Sequence, residues 1–119
     1  MYLTGKIALV TGAASGIGKA VVTELVQRKA SVIAADIDTG RVRALAAQLS
    51  NTTALTLDVT DESAWQSAFQ SIDHLDIFIS AAGISRAKPT ADMSLDDWRR
   101  VMAVNLDGAF LEFAPPSVP

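Results

Sequence analysis

The chain has no cysteine, a single histidine (His74) and a single tyrosine (Tyr2) in its 119 residues. Without cysteine there is no disulfide scaffold, no thiolate metal site and no thiol nucleophile, although the compartment is not fixed by that absence. One imidazole cannot build a histidine metal cluster, so no metal site is expected. No apolar run reaches the roughly 18 residues that a membrane span needs. Basic residues are scattered and the net charge is −3, which argues against a nucleic-acid surface. The opening residues, Met1 to Lys6, lack signal-peptide anatomy. These absences point to a soluble, cytoplasmic protein with neither a membrane nor a nucleic-acid partner. Apolar residues make up 50% of the chain, well outside the disordered regime and enough for one domain with a core.

The densest signal is the run Thr11-Gly12-Ala13-Ala14-Ser15-Gly16-Ile17-Gly18. It follows a short apolar run, Ile7 to Val10, and opens a segment with apolar residues at Ile17, Ala20, Val21 and Leu25, which is helical spacing. Strand, glycine loop and helix together bring a diphosphate onto bare backbone amides at a positive helix end. Gly12 is expected to allow the sharp turn out of the strand, Gly16 to let backbone approach phosphate, and Gly18 to let the helix pack closely on the sheet. Ser15 is placed to donate a hydroxyl to a phosphate. A glycine-rich turn without a ligand is the plain alternative for this run taken alone.

The rest of the chain alternates strand and helix. Strands are expected at Lys6 to Val10, Ser31 to Asp36, Thr53 to Asp58 and Leu75 to Ser80, each compact and apolar, as strands buried on both faces are. Between them, Val42, Leu45, Ala46 and Leu49 form one helical stripe and Trp65, Ala68, Phe69 and Ile72 another. Thr60 is read as the cap of the third helix, with Asp61 and Glu62 in its first turn. Ser94 to Asp97 resembles a capping box that opens a last helix bearing Trp98, Val101, Met102 and Leu106. The alternation predicts an α/β fold, doubly wound around a parallel sheet of about four strands in the order 3-2-1-4.

In such sheets ligands bind at the carboxyl ends of the strands. Gly12, Asp36, Asp58 and Gly83 all fall there. Asp36 lies about twenty residues beyond the glycine loop, where an acid meets an adenosine ribose and repels a 2′-phosphate. Asp38 adds negative charge and no Arg or Lys stands at position 15 or 37, so NAD is favoured over NADP. Asp58 and Val59 are candidates for adenine, through a carboxylate and a backbone amide, with a strand-ending turn residue as the equal alternative for Asp58 taken alone. Ala82 and Gly83, in Ser80-Ala81-Ala82-Gly83, leave room for the second ribose.

These residues resemble the short-chain dehydrogenase/reductase family over about Leu3 to Phe110. Thr11 to Gly18 matches its T-G-x-x-x-G-I-G pattern, Asp36 its NAD-selecting acid, Asp58-Val59 its adenine pair, and Trp98 through Asn105-Leu106 its W…V-N-L segment. One departure is that Ser80 and Ala81 stand where the family pattern N-N-A-G has two asparagines. The resemblance implies a Rossmann domain and NAD-dependent hydride transfer on a small alcohol or carbonyl. It also implies a homo-oligomer for a full-length member. In the family a serine and a Tyr-x-x-x-Lys pair do the proton work and an asparagine supports the relay. Only that asparagine has a counterpart here, Asn105.

Tyr2 and Lys6 have the literal spacing of that pair, but they lead into the first strand at its amino end and would lie roughly 13 Å apart if extended. His74, Arg86 and Lys88 read as solvated, Lys19 as a surface lysine or an aid to the diphosphate, and Trp65 and Trp98 as packing residues. Pro115 and Pro116 would end the last helix. Residues 1–113 therefore read as a truncated dinucleotide-binding domain and residues 114–119 as a tail foreign to the family pattern, of frameshift or junction origin. As written the chain is expected to be inactive. A non-catalytic dinucleotide-binding or interaction module, or a product without stable function, are the other readings.

Overall fold

The computed structural model describes residues 1–84 and 90–113. Four strands, β1 (Ile7–Thr11), β2 (Ser31–Asp36), β3 (Thr52–Thr56) and β4 (Ile77–Ser80), alternate with helices α1 (Gly16–Gln27), α2 (Thr39–Gln48) and α3 (Glu62–Ser71). Beyond β4 come a 3-10 turn (Thr90–Asp92), α4 (Leu95–Met102), a π-helical turn (Ala103–Asp107) and α5 (Gly108–Phe113). All strand pairs are parallel and the order is β3-β2-β1-β4. This is the sheet expected from the alternation.

The period of two along each strand sends neighbouring side chains to opposite faces and so builds two cores. Ala8 and Val10 of β1 and Val32 and Ala34 of β2 meet Val22 and Leu25 of α1 and Val42 and Leu45 of α2. Leu9 and Ala35 point the other way, onto Trp65 and Ala68 of α3 and Val104 of the π turn. The helices therefore cover both faces, which is the doubly wound arrangement.

Several local expectations are corrected. Burial on both faces holds for β1 but not for β3 or β4, whose residues are at best half-buried because they are the sheet's outer strands. Strand β3 ends at Thr56, so Asp58 lies two residues beyond it in the loop. Thr60 does not cap α3. Its hydroxyl donates to Asp58 at 2.7 Å, and Asp61 takes the cap, accepting from the Ala64 amide at 3.2 Å. The last helix is broken in register by the π turn, which buries Val104 and leaves Trp98 (49%) and Leu106 (62%) exposed. Trp98 is thus not the packing residue its twin is; Trp65 is 1% exposed. Arg86, Lys88 and residues 114–119 lie outside the described residues.

Turn chemistry fixes the crossovers. Helix α1 closes with a Schellman motif: the Ala30 amide donates to the Leu25 carbonyl and the Lys29 amide to that of Val26, both at 3.0 Å. Lys29 takes the left-handed conformation there (φ 72°), where glycine would be unstrained.

Candidate functional site

A cleft of about 410 Å3 opens along the carboxyl ends of the strands. The glycine loop contributes Gly12, Ser15, Gly16 and Ile17, the end of β2 contributes Asp36, and the loop after β3 contributes Asp58 and Val59. Ala82 and Gly83 come from the segment after β4, with Arg100 and Val104 on the far wall. The expected site residues thus converge, except Gly18 and Asn105, which stand behind the cleft and shape it.

The three glycines of the loop do different work. Gly12 takes a left-handed backbone (φ +65°), and a Cβ on it would lie 2.6 Å from the Ala81 carbonyl oxygen, so the loop and the β4 segment touch backbone to backbone. Gly16 is also left-handed (φ +56°), but its missing Cβ faces open space. Gly18 packs against the loop rather than the sheet, because a Cβ there would collide with the Gly12 carbonyl. The expected helix-on-sheet role is therefore a helix-on-loop role.

The helix ends show a sharper contrast. Asp38 caps α2, Asp61 caps α3 and Ser94 caps α4, each accepting from an amide in the first turn. Ser15, at the N-cap of α1, makes no such bond, and no acidic residue stands in that first turn. The leading amides of a helix have no intrahelical partner and carry positive partial charge. At α1 they face the cleft unanswered by the helix's own cap residue.

Asp36 is held rather than loose. Its Oδ2 accepts from the Ala14 amide and its Oδ1 from the Asp38 amide, both at 2.9 Å. One carboxylate thereby staples the glycine loop to the end of β2 while each oxygen keeps a second lone pair. Asp58 uses Oδ1 to bind both the amide and the hydroxyl of Thr60. Asn105 works as a clamp: its Oδ1 accepts from the Ile84 amide and its Nδ2 donates to the Ile84 carbonyl, both at 2.8 Å. The wider π turn around Asn105 sets this side chain against the segment that follows β4.

Sequence reasoning left several contributors without a role. Thr11 is fully buried, and its Oγ1 accepts from the Ala81 and Ala82 amides at 3.2 and 3.4 Å. A polar residue closing an apolar strand was the available signal. Trp65 donates its indole N–H to the Val59 carbonyl at 2.9 Å, fixing the loop after β3 from beneath. Gly108 lets the far helix close on that loop, since a Cβ would lie 2.8 Å from Val59 Cγ2. Arg100 had no signal beyond its place in the helical pattern. Glu112, 6% exposed, has an Oε1 without a hydrogen-bond partner. Burial raises its carboxyl above the ordinary range, against a smaller opposing pull from Ser80.

The family model for short chain dehydrogenase matches residues 6–114. The chain belongs to the short-chain dehydrogenase family. It is 38% identical over 117 residues to D-threitol dehydrogenase of Mycolicibacterium smegmatis, covering 92% of this chain and 45% of that protein. It is 36% identical over 118 residues to the 3-oxoacyl-(acyl-carrier-protein) reductase FabG of Aquifex aeolicus, covering 92% of this chain and 48% of that one. The crystal structure of gox2181 superposes with a TM-score of 0.89 at 30% identity, over 95% of this chain and 48% of that one. The chain therefore spans about half the length of the relatives it matches, and its fold is the Rossmann fold of those structures.

Short-chain dehydrogenases bind nicotinamide dinucleotides. The remaining polar candidates lie elsewhere. Tyr2 is 76% exposed and precedes β1 outside any helix, so Tyr2 and Lys6 do not form a catalytic pair. His74 Nε2 lies 2.8 Å from Asp76 Oδ1, just before β4 at the opposite edge of the sheet. Lys19 lines a neighbouring groove with Arg41, not the cleft. No helix among the described residues is long and apolar enough to cross a membrane.

Proposed function

We propose that this chain is the cofactor-binding part of an NAD-dependent oxidoreductase acting on a small alcohol or carbonyl compound. The observation that carries this reading is the uncapped N-terminus of α1 at the edge of a cleft, in a chain whose α2, α3 and α4 are each capped by a side chain. A diphosphate supplies the oxyanions those amides lack. The fit is supported by Gly16, whose absent Cβ leaves the approach to the loop open.

Gly12, Ser15, Gly16 and Ile17 would hold the diphosphate, with Gly18 supporting the loop from behind. Asp36, fixed by its two amides, would accept from the adenosine ribose hydroxyls through its remaining lone pairs. The same anchored charge repels a 2′-phosphate, which favours NAD over NADP. Asp58 and Val59 would meet the adenine, and Ala82 and Gly83 the second ribose. When bound, the nicotinamide exchanges a hydride with the alcohol or carbonyl. Asn105 holds the segment after β4 in place through Ile84. Apart from the literal Tyr2–Lys6 spacing, which leads into β1 outside any helix, residues 1–119 hold no counterpart of the family's serine or Tyr-x-x-x-Lys, and on this reading they bind the dinucleotide without turning over substrate.

Thermal melting with and without NADH tests this. Ligand at a thousand times its Kd stabilises by about 4 kcal/mol, a plain upward shift in Tm, with no oxidation of NADH by any carbonyl. Asp36→Ala should weaken NADH binding and narrow the preference over NADPH. A cooperative transition that NADH leaves unmoved would overturn the reading, and unchanged selectivity in Asp36→Ala would overturn the assignment of NAD.

A further inference from the structure

We infer that Arg100 is a cofactor-binding residue that stacks its guanidinium on the adenine. This rests on the proposed dinucleotide reading. Among the described residues that line the cleft, Arg100 is the one cation. It makes no ion pair among the described residues, although Asp96 stands one turn before it on the same helix.

Its position follows from Val104. Arg100 on α4 and Val104 on the π turn that follows it both line the cleft. Val104 is buried in one cluster with Leu57 and Val59, with Ala82 and Ile84 packed against it. Gly108 seats the same helical segment directly on Val59. Arg100 is exposed. Buried Val104 and Val59 therefore form the floor of this part of the cleft and exposed Arg100 its rim.

A flat aromatic base lying on two valines has one face covered and the other open. A planar, weakly hydrated guanidinium at the rim suits that open face, because it stacks on aromatic systems as an ammonium does not. The recognised chemistry is a purine ring, read by shape and stacking.

The test measures Kd for NADH and for AMP by calorimetry on the whole chain, with wild type, Arg100→Met and Arg100→Lys. Arg100→Met should weaken both ligands by about three- to tenfold, the range of one cation–π contact. Arg100→Lys should not restore the affinity, and the deficit should persist at 0.5 M salt, since stacking is screened less than charge attraction (on the order of 4 Å of screening length at that salt). Unchanged affinity in Arg100→Met would overturn the inference while leaving the dinucleotide reading intact. Full recovery with lysine, or a deficit abolished by salt, would also overturn it, by making Arg100 a point charge for phosphate. Failure of the wild-type chain to bind NADH would remove the reading itself.

Discussion

The two walls of the cleft are built by opposite means. The glycine-loop wall is backbone against backbone: Gly12 on Ala81, Gly18 on Gly12, and the Ala13 amide on the Ala35 carbonyl at 3.0 Å. Behind it Ala8, Val10, Val22 and Ala34 are fully buried. The α4–α5 wall rests on side chains, through Asn105 on Ile84 and the Val59 side chain against Gly108. It leaves Leu95, Trp98, Leu106 and Phe110 at 49–67% exposure and a buried Glu112 oxygen unpaired. At Gly12 and Gly18 the first wall has no room for an added atom. The second holds its shape through a few replaceable bonds. A rigid wall suits a constant feature of a ligand, such as a diphosphate, and the adjustable wall is where individual side chains matter.

The strongest test of that contrast is Gly18→Ala. The new methyl meets the Gly12 backbone, which cannot swing away as a side chain could, so a stability loss of about 2–4 kcal/mol is expected in urea denaturation. Gly16→Ala is the control within the same loop. Its methyl meets nothing within 4 Å, so only the left-handed backbone is strained, at about 1 kcal/mol. Equal losses in the two variants would erase the distinction between packed and open glycines.

Asn105→Ala probes the other wall. It removes both bonds to Ile84, and a loss near 1 kcal/mol is expected because Asn105 is exposed and water replaces much of what is lost. Amide exchange at Ile84 should accelerate while exchange in β1 stays unchanged. Acceleration in both places would mean that the walls form one cooperative unit.

The smallest effect is expected from Glu112→Gln. Burial raises the Glu112 carboxyl above its ordinary value of 4.5, so the folded chain holds this proton more tightly than the unfolded one. Stability then falls as pH rises from about 4.5 through the raised value. The glutamine variant should lose that slope and gain slightly at neutral pH, as read from melting curves across the range. Asp76 runs the other way. The Ile7 amide and then the His74 side chain lower its pKa, so its contribution is present at neutral pH and fades as the solution is acidified.

Much of the fold was legible because its signals are local. The glycine spacing, the apolar runs and the helical stripes lie within a few residues of one another, and Asp36 is tied to the loop by distance along the chain. The cap of α3 was misjudged because Thr60 and Asp61 are both good caps, and the choice was made by Asp58, which claims the threonine hydroxyl. The register of the last helix was misjudged because a π turn depends on what the helix packs against. Gly108 and Asn105 impose it through Val59 and Ile84, both distant in sequence.

By itself the sequence determined the parallel order of the strands, the glycine loop and the edge at which chemistry collects, since each follows from backbone geometry and the period of apolar residues. Only the tertiary structure decided that Asp36 is stapled by the Ala14 amide, that Thr11 holds the β4 segment, that Arg100 lines the cleft and that Glu112 is buried. Each of those depends on a partner or neighbours brought close by the crossovers. No spacing within a single segment encodes how far two separate segments will approach.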